Sequence, residues 1–120
     1  MATSYRQLRV WQSSIDLAEK IYVATASFPP SEIYGLTSQL RRASVSIPSN
    51  IAEGQARHTT GEFIQFISHA EGSLAELDTQ LILSIELNFC RDAGADSAFA
   101  LIGELRRMLN VLRRKLSARQ

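Results

Sequence analysis

The chain has 120 residues, 45% of them hydrophobic and 21% charged, with a net charge of +1, three prolines, six glycines and one cysteine. That size and composition fit one folded domain over 1–120 and exclude a disordered or linker-rich chain. The lone Cys90 excludes a disulfide framework and a multi-cysteine metal site, and apolar runs such as Leu81 to Leu83 fall far short of the ~20 residues that span a bilayer.

The first predicted helix covers about 8–26. Leu8, Trp11, Ile15, Ala18, Ile21, Tyr22 and Thr25 recur in steps of three and four, which places them on one face. Phe28 and the stiff Pro29-Pro30 pair then end it. None of the N-terminal residues forms the continuous apolar core of a signal peptide, so the expected location is the cytoplasm, without membrane contact.

The second predicted helix covers about 32–57, with Ser31 as its N-cap and Glu32 facing the positive end of the helix dipole. Leu36, Leu40, Ala43, Ile47 and Ile51 form its inward stripe. Pro48 interrupts this helix chemically: it has no N–H for the carbonyl of Ser44 and its ring crowds that turn. A kink or restart is expected between Ser44 and Pro48, with the short polar groups of Ser44, Ser46, Ser49 and Asn50 available to freed backbone.

The third predicted helix covers about 60–88 and has the clearest start in the chain, because Thr59 followed by Glu62 has the form of a capping box. Phe63, Ile67, Ala70, Leu74, Leu77, Leu81, Ser84 and Asn88 alternate steps of four and three, the pattern of a bundle seam. Ile64, Phe66, Ile82, Leu83, Ile85 and Phe89 lie off that seam and are the candidate oligomer interface. The fourth predicted helix covers about 96–117, capped by Asp96 or Ser97, with Phe99, Ile102, Leu105, Leu109, Leu112 and Leu116 inward. Four amphipathic helices with short connections and no strand alternation predict an all-α, up-down-up-down antiparallel four-helix bundle.

Charge is unevenly placed. Residues 60–90 hold Glu62, Glu71, Glu76, Asp78 and Glu86 and no lysine or arginine, whereas residues 101–120 hold Arg106, Arg107, Arg113, Arg114, Lys115 and Arg119 against Glu104 alone. One reading pairs these flanks across the bundle; the other projects the C-terminal cations, joined by Arg41, Arg42 and Arg57, towards phosphate. A net charge of +1 argues against a nucleic-acid binder recognisable by composition alone.

No enzyme signature emerges. Neither His58 nor His69 follows a glutamate at the Glu-x-x-His spacing of a di-iron bundle, Cys90 has no basic neighbour except Arg91, and the glycines form no phosphate loop. No metal or cofactor is expected. An active site would require a pocket that gathers Glu53, His58 or His69.

The residues that carry a family likeness are LRVWQ at Leu8 to Gln12, Phe28-Pro29, YGLTSQLRRASVSIPSNIAEG from Tyr34 to Gly54, and GSLAELDTQL from Gly72 to Leu81. Together these resemble the bacterial four-helix-bundle proteins encoded by intervening sequences in 23S rRNA genes, over the first three helices. The resemblance implies a homopentamer with a barrel-like arrangement of bundles. It also implies similarity to the accessory variability determinant proteins of diversity-generating retroelements, which work with a reverse transcriptase and bind nucleic acid through a basic surface. The expected function is a non-enzymatic homo-oligomeric scaffold associated with RNA or DNA, or alternatively an oligomer that binds only protein partners.

Overall fold

The computed structural model describes residues 4–120. A 3-10 turn over Tyr5–Gln7 leads into α1 (Arg9–Thr25), and a second over Pro30–Glu32 leads into α2 (Leu36–Gln55). Then come α3 (Thr60–Glu86) and α4 (Asp92–Ser117), with no strand among the described residues. The protein is an all-α four-helix bundle, 46 × 23 × 20 Å. Each helix packs on the next and α4 returns to α1, while among the described residues the backbones of the two diagonal pairs stay more than 8 Å apart.

Residue pairs fix the directions. Gly54 approaches Phe63 and Phe66, the Ser46 and Ser73 hydroxyls share a hydrogen bond of 2.8 Å, and the Gln80 amide reaches Gln39, so α2 and α3 run antiparallel. The pairs Arg106–Asp78 and Arg113–Glu71 show the same for α3 and α4.

Each helix buries one stripe. In α2 it is the expected Leu36, Leu40, Ala43, Ile47 and Ile51; in α3 it is Ile67, Ala70, Leu74, Leu77, Leu81 and Ser84, with Phe63 half-buried. The α1 stripe keeps the expected Ile21 and Thr25 but is otherwise displaced by one position: Val10, Ser14 and Leu17 are buried with them, Trp11, Ile15 and Ala18 are half-buried, and Tyr22 is exposed. Two polar residues can occupy this core because each satisfies itself locally. The Ser14 hydroxyl donates to the Trp11 carbonyl at 2.7 Å, and the Thr25 hydroxyl to that of Ile21 at 2.7 Å. In α4 the small Ala95 and Ala98 join Ile102, Leu105, Leu109 and Leu116, while Phe99 and Leu112 are half-buried.

The helix starts correct two expectations and bear out a third. At α2 the cap is Gly35, not Ser31, and the Glu32 carboxylate accepts from the Leu36 N–H at 3.0 Å. A Cβ at Gly35 would come within 2.6 Å of that carboxylate oxygen, so a larger residue there would push the Glu32 side chain off its bond to Leu36. The start of α4 is at Asp92, one turn before Asp96 and Ser97, with Arg91 as an extended N-cap and no side-chain cap. At α3, Thr59 caps as expected: its oxygen accepts from the Glu62 N–H at 3.1 Å and its hydroxyl donates to the Glu62 carboxylate at 2.9 Å.

Helix α2 does not restart at Pro48. It continues unbroken from Leu36 to Gln55 with the proline buried. The nearby polar groups act elsewhere than expected: the Ser44 hydroxyl donates to the Arg41 carbonyl at 2.8 Å, and the Asn50 amide to the Ser46 carbonyl at 2.8 Å. Neither bond goes to the carbonyl of Ser44, the one that loses the Pro48 N–H. Helix α3 stops two residues early, at Glu86, in a Schellman turn. The Phe89 N–H donates to Ser84, the Asn88 N–H to Ile85, and Asn88 adopts φ 63°. Asn88 therefore leaves the seam, and the Phe89 ring meets Phe28, 6.0 Å between centroids, across the end of the bundle.

Candidate assembly and nucleic-acid surfaces

The structure divides the nine candidate phosphate-binding residues. Four engage their own subunit. Arg41 lies at the α1/α2 seam, donating from Nε to the Thr25 hydroxyl at 2.9 Å with its guanidinium 4.6 Å from the Tyr22 ring centroid. Arg57 pairs with Glu53 at 3.6 Å and covers Phe66, and the next two join α4 to α3: Arg106 to Asp78 at 3.3 Å and Arg113 to Glu71 at 3.0 Å. Arg106 and Arg113 are seven residues apart, two helical turns, so both project from the same flank of α4.

Arg42, Arg107, Arg114, Lys115 and Arg119 are exposed, and none forms an ion pair among the described residues. The two arginines at 41 and 42 thus separate, one to a seam and one to solvent, as the ~100° step between adjacent helical residues requires.

The six candidate interface residues also divide. Ile64, Ile85 and Phe89 pack against the core, and Phe66 is half-buried beside Gly54 and under Arg57. Ile82 and Leu83 remain almost half exposed, and Leu87 at the end of α3 joins them. Sequence reasoning missed Leu87, although it follows Leu83 at one helical turn.

It also missed an open groove of about 440 Å³ between the start of α1 and the end of α4. Leu8, Val10, Met108, Val111 and Leu112 supply its apolar surface and Arg9, Arg107 and Lys115 its charge. The only sequence signal was the i, i+4 pairing of Val111 with Lys115 and Arg107 with Val111, apolar and basic on one face.

Glu53 and His58 share a shallow hollow with Glu62, whereas His69 lies in a separate polar hollow with Ser46, Asn50, Ser73 and Glu76. Among the described residues no group of three or more histidine, cysteine or carboxylate side chains could hold a metal ion. Nor is any helix among them long and apolar enough to cross a membrane.

Fold and surface together define a four-helix-bundle protein with one acidic helix ion-paired to one basic helix. The family model described as 23S rRNA-intervening sequence protein matches residues 6–111, and the chain belongs to that family. The match extends through most of α4, further than the motifs in the first three helices. No curated protein matches the chain.

Proposed function

We propose that the protein is a non-enzymatic cytoplasmic scaffold that works as a homo-oligomer and presents the basic end of α4 to RNA or DNA phosphate. One observation carries the nucleic-acid part. After α3 has neutralised Arg106 and Arg113, the cations Arg107, Arg114, Lys115 and Arg119 are still exposed and unpaired among the described residues. Four such charges on one subunit give weak attraction, and a ring of subunits multiplies it. The resemblance to pentameric relatives supports five as the number of copies.

Light scattering at micromolar concentration tests the assembly, and a monomer would refute it. Fluorescence anisotropy with a structured RNA and with duplex DNA tests the phosphate contact. Binding should weaken steeply with salt, and replacing Arg114 and Arg119 by glutamine should reduce the slope of log K against log salt by about 2 per bound subunit. Absence of salt-sensitive binding at low ionic strength would refute it.

A second reading, an oligomer that binds only protein, is favoured by Ile82, Leu83 and Leu87 standing half exposed on the acidic helix. Under that reading the same glutamine variant retains every protein partner of the wild type and the wild type retains no nucleic acid.

A further inference from the structure

Two surfaces of one subunit are chemical complements. The groove between α1 and α4 has an apolar floor that includes Val10, Val111 and Leu112, and its charged residues are Arg9, Arg107 and Lys115 with no carboxylate. None of these cations has an ion-pair partner among the described residues.

On the outward side of α3, Glu76, Ile82, Leu83, Glu86 and the adjoining Leu87 are all exposed. Glu76 and Glu86 likewise form no ion pair among the described residues, and no lysine or arginine occurs between 60 and 90. A single exposed leucine is ordinary. Three large apolar side chains stand within six residues, the charges of their own helix beside them are all carboxylates, and this chain itself carries a matching basic groove.

We propose that the α3 stripe of one copy seats in the α1/α4 groove of the next. This rests on the homo-oligomer reading above and names the surfaces that would build it. Charge decides against self-pairing of either surface. Stripe against stripe would face Glu76 and Glu86 with their own copies, and groove against groove would crowd Arg9, Arg107 and Lys115, whereas stripe in groove opposes unlike charges. A reciprocal twofold contact would need both surfaces on one side of the bundle, and they lie on different sides, so the contact is head to tail.

Around the bundle the order is α1, α2, α3, α4, so a stripe on the outward side of α3 and a groove between α1 and α4 lie on different sides. Repeated head-to-tail pairing builds a ring where its rotation closes and an open filament where it does not. Arg107 and Lys115 then belong to the interface, and Arg114 and Arg119 are left facing phosphate.

Two variants test this. One breaks the stripe (Ile82→Glu with Leu83→Glu), the other breaks the groove (Val111→Glu with Lys115→Glu). All four positions are exposed, so far-UV circular dichroism should show intact helices in each. Each variant alone should be monomeric, its dissociation constant raised by at least about 30-fold.

Mixed together, they retain one intact stripe and one intact groove, and should form a heterodimer of twice the 13.3 kDa subunit and nothing larger. Assembly that survives in either variant, or a mixture that stays monomeric, would overturn the proposed contact while leaving the homo-oligomer reading intact. A monomeric wild type would overturn both.

Discussion

Gly54→Ala should destabilise the protein although alanine is the better helix former. Gly54 is buried near the end of α2, and a Cβ there would fall 2.7 Å from the Phe66 Cβ and 2.9 Å from the Phe63 Cδ1 on α3. The Phe63 ring can rotate away. The Phe66 Cβ cannot, because it is fixed to backbone, so ordinary contact requires the helices to separate by roughly 0.8 Å.

Overpacking costs about 1–3 kcal/mol, and two contacts this short lie at its upper end; helix propensity returns about 1 kcal/mol, leaving a net loss near ~2 kcal/mol. With an unfolding entropy of about 2.1 cal/mol/K per residue, this is a fall in Tm of roughly 8 °C. Gly72→Ala is the control. It lies exposed inside α3 with nothing within 4 Å of the added methyl, so it should raise Tm by roughly 2–4 °C. Both melts are followed by circular dichroism at one protein concentration, since an oligomer's Tm depends on it. A Gly54→Ala protein that melts at or above the wild type would refute the close approach of α2 and α3.

Three further outcomes follow from single contacts. A double-mutant cycle on the part-buried pair Arg113–Glu71 should give a coupling of about 1 kcal/mol, and on the more exposed Arg106–Asp78 less than about 0.5 kcal/mol; equal values by urea titration would contradict the geometry. Thr59→Ala removes the cap of α3 and should cost about 1 kcal/mol by the same titration, whereas Ser31→Ala, at a residue that caps nothing, should be neutral. Asn88→Gly relieves a left-handed backbone and should add about 0.5 kcal/mol, provided the Phe89 ring keeps its place against Phe28.

How much could be read from the sequence depended on how each residue meets the core. The stripes of α2 and most of α3 were legible because a continuous apolar row at steps of three and four runs along each, with the buried Thr37 and Ser44 beside the one and Ser84 at the end of the other. The α1 stripe was misplaced because Trp11, Ile15, Ala18 and Tyr22 make an equally regular apolar row, while the true core runs through Val10, Ser14 and Leu17 to the expected Ile21 and Thr25, two of them hydroxyl residues. Their hydroxyls bind their own helix, which no hydrophobic pattern records. Ala95 and Ala98 were overlooked for a related reason: buried alanines look like ordinary helix formers.

The opposed charges of the third and fourth helices were plain in the sequence. Which arginines pair required the register of α4 against α3, which chose 106 and 113 and left their neighbours 107 and 114 outside. The groove was least legible, since its two walls lie at opposite ends of the chain and meet only when the bundle closes.

The four seams of the bundle are unequal. Helices α2 and α3 share the most extensive interface, tightened at Gly54 and Ser46, whereas the seam between α1 and α4 carries two open grooves of about 620 and 440 Å³. Amide hydrogen exchange should therefore be slowest at Ile47, Ile51, Ile67 and Leu74, and the amides of α1 and α4 should exchange through openings that leave the α2/α3 hairpin intact. A bundle that opens along one defined edge exposes the inner faces of its first and last helices while the central hairpin stays folded, so the loosest seam is where proteolysis and helix exchange between copies would begin.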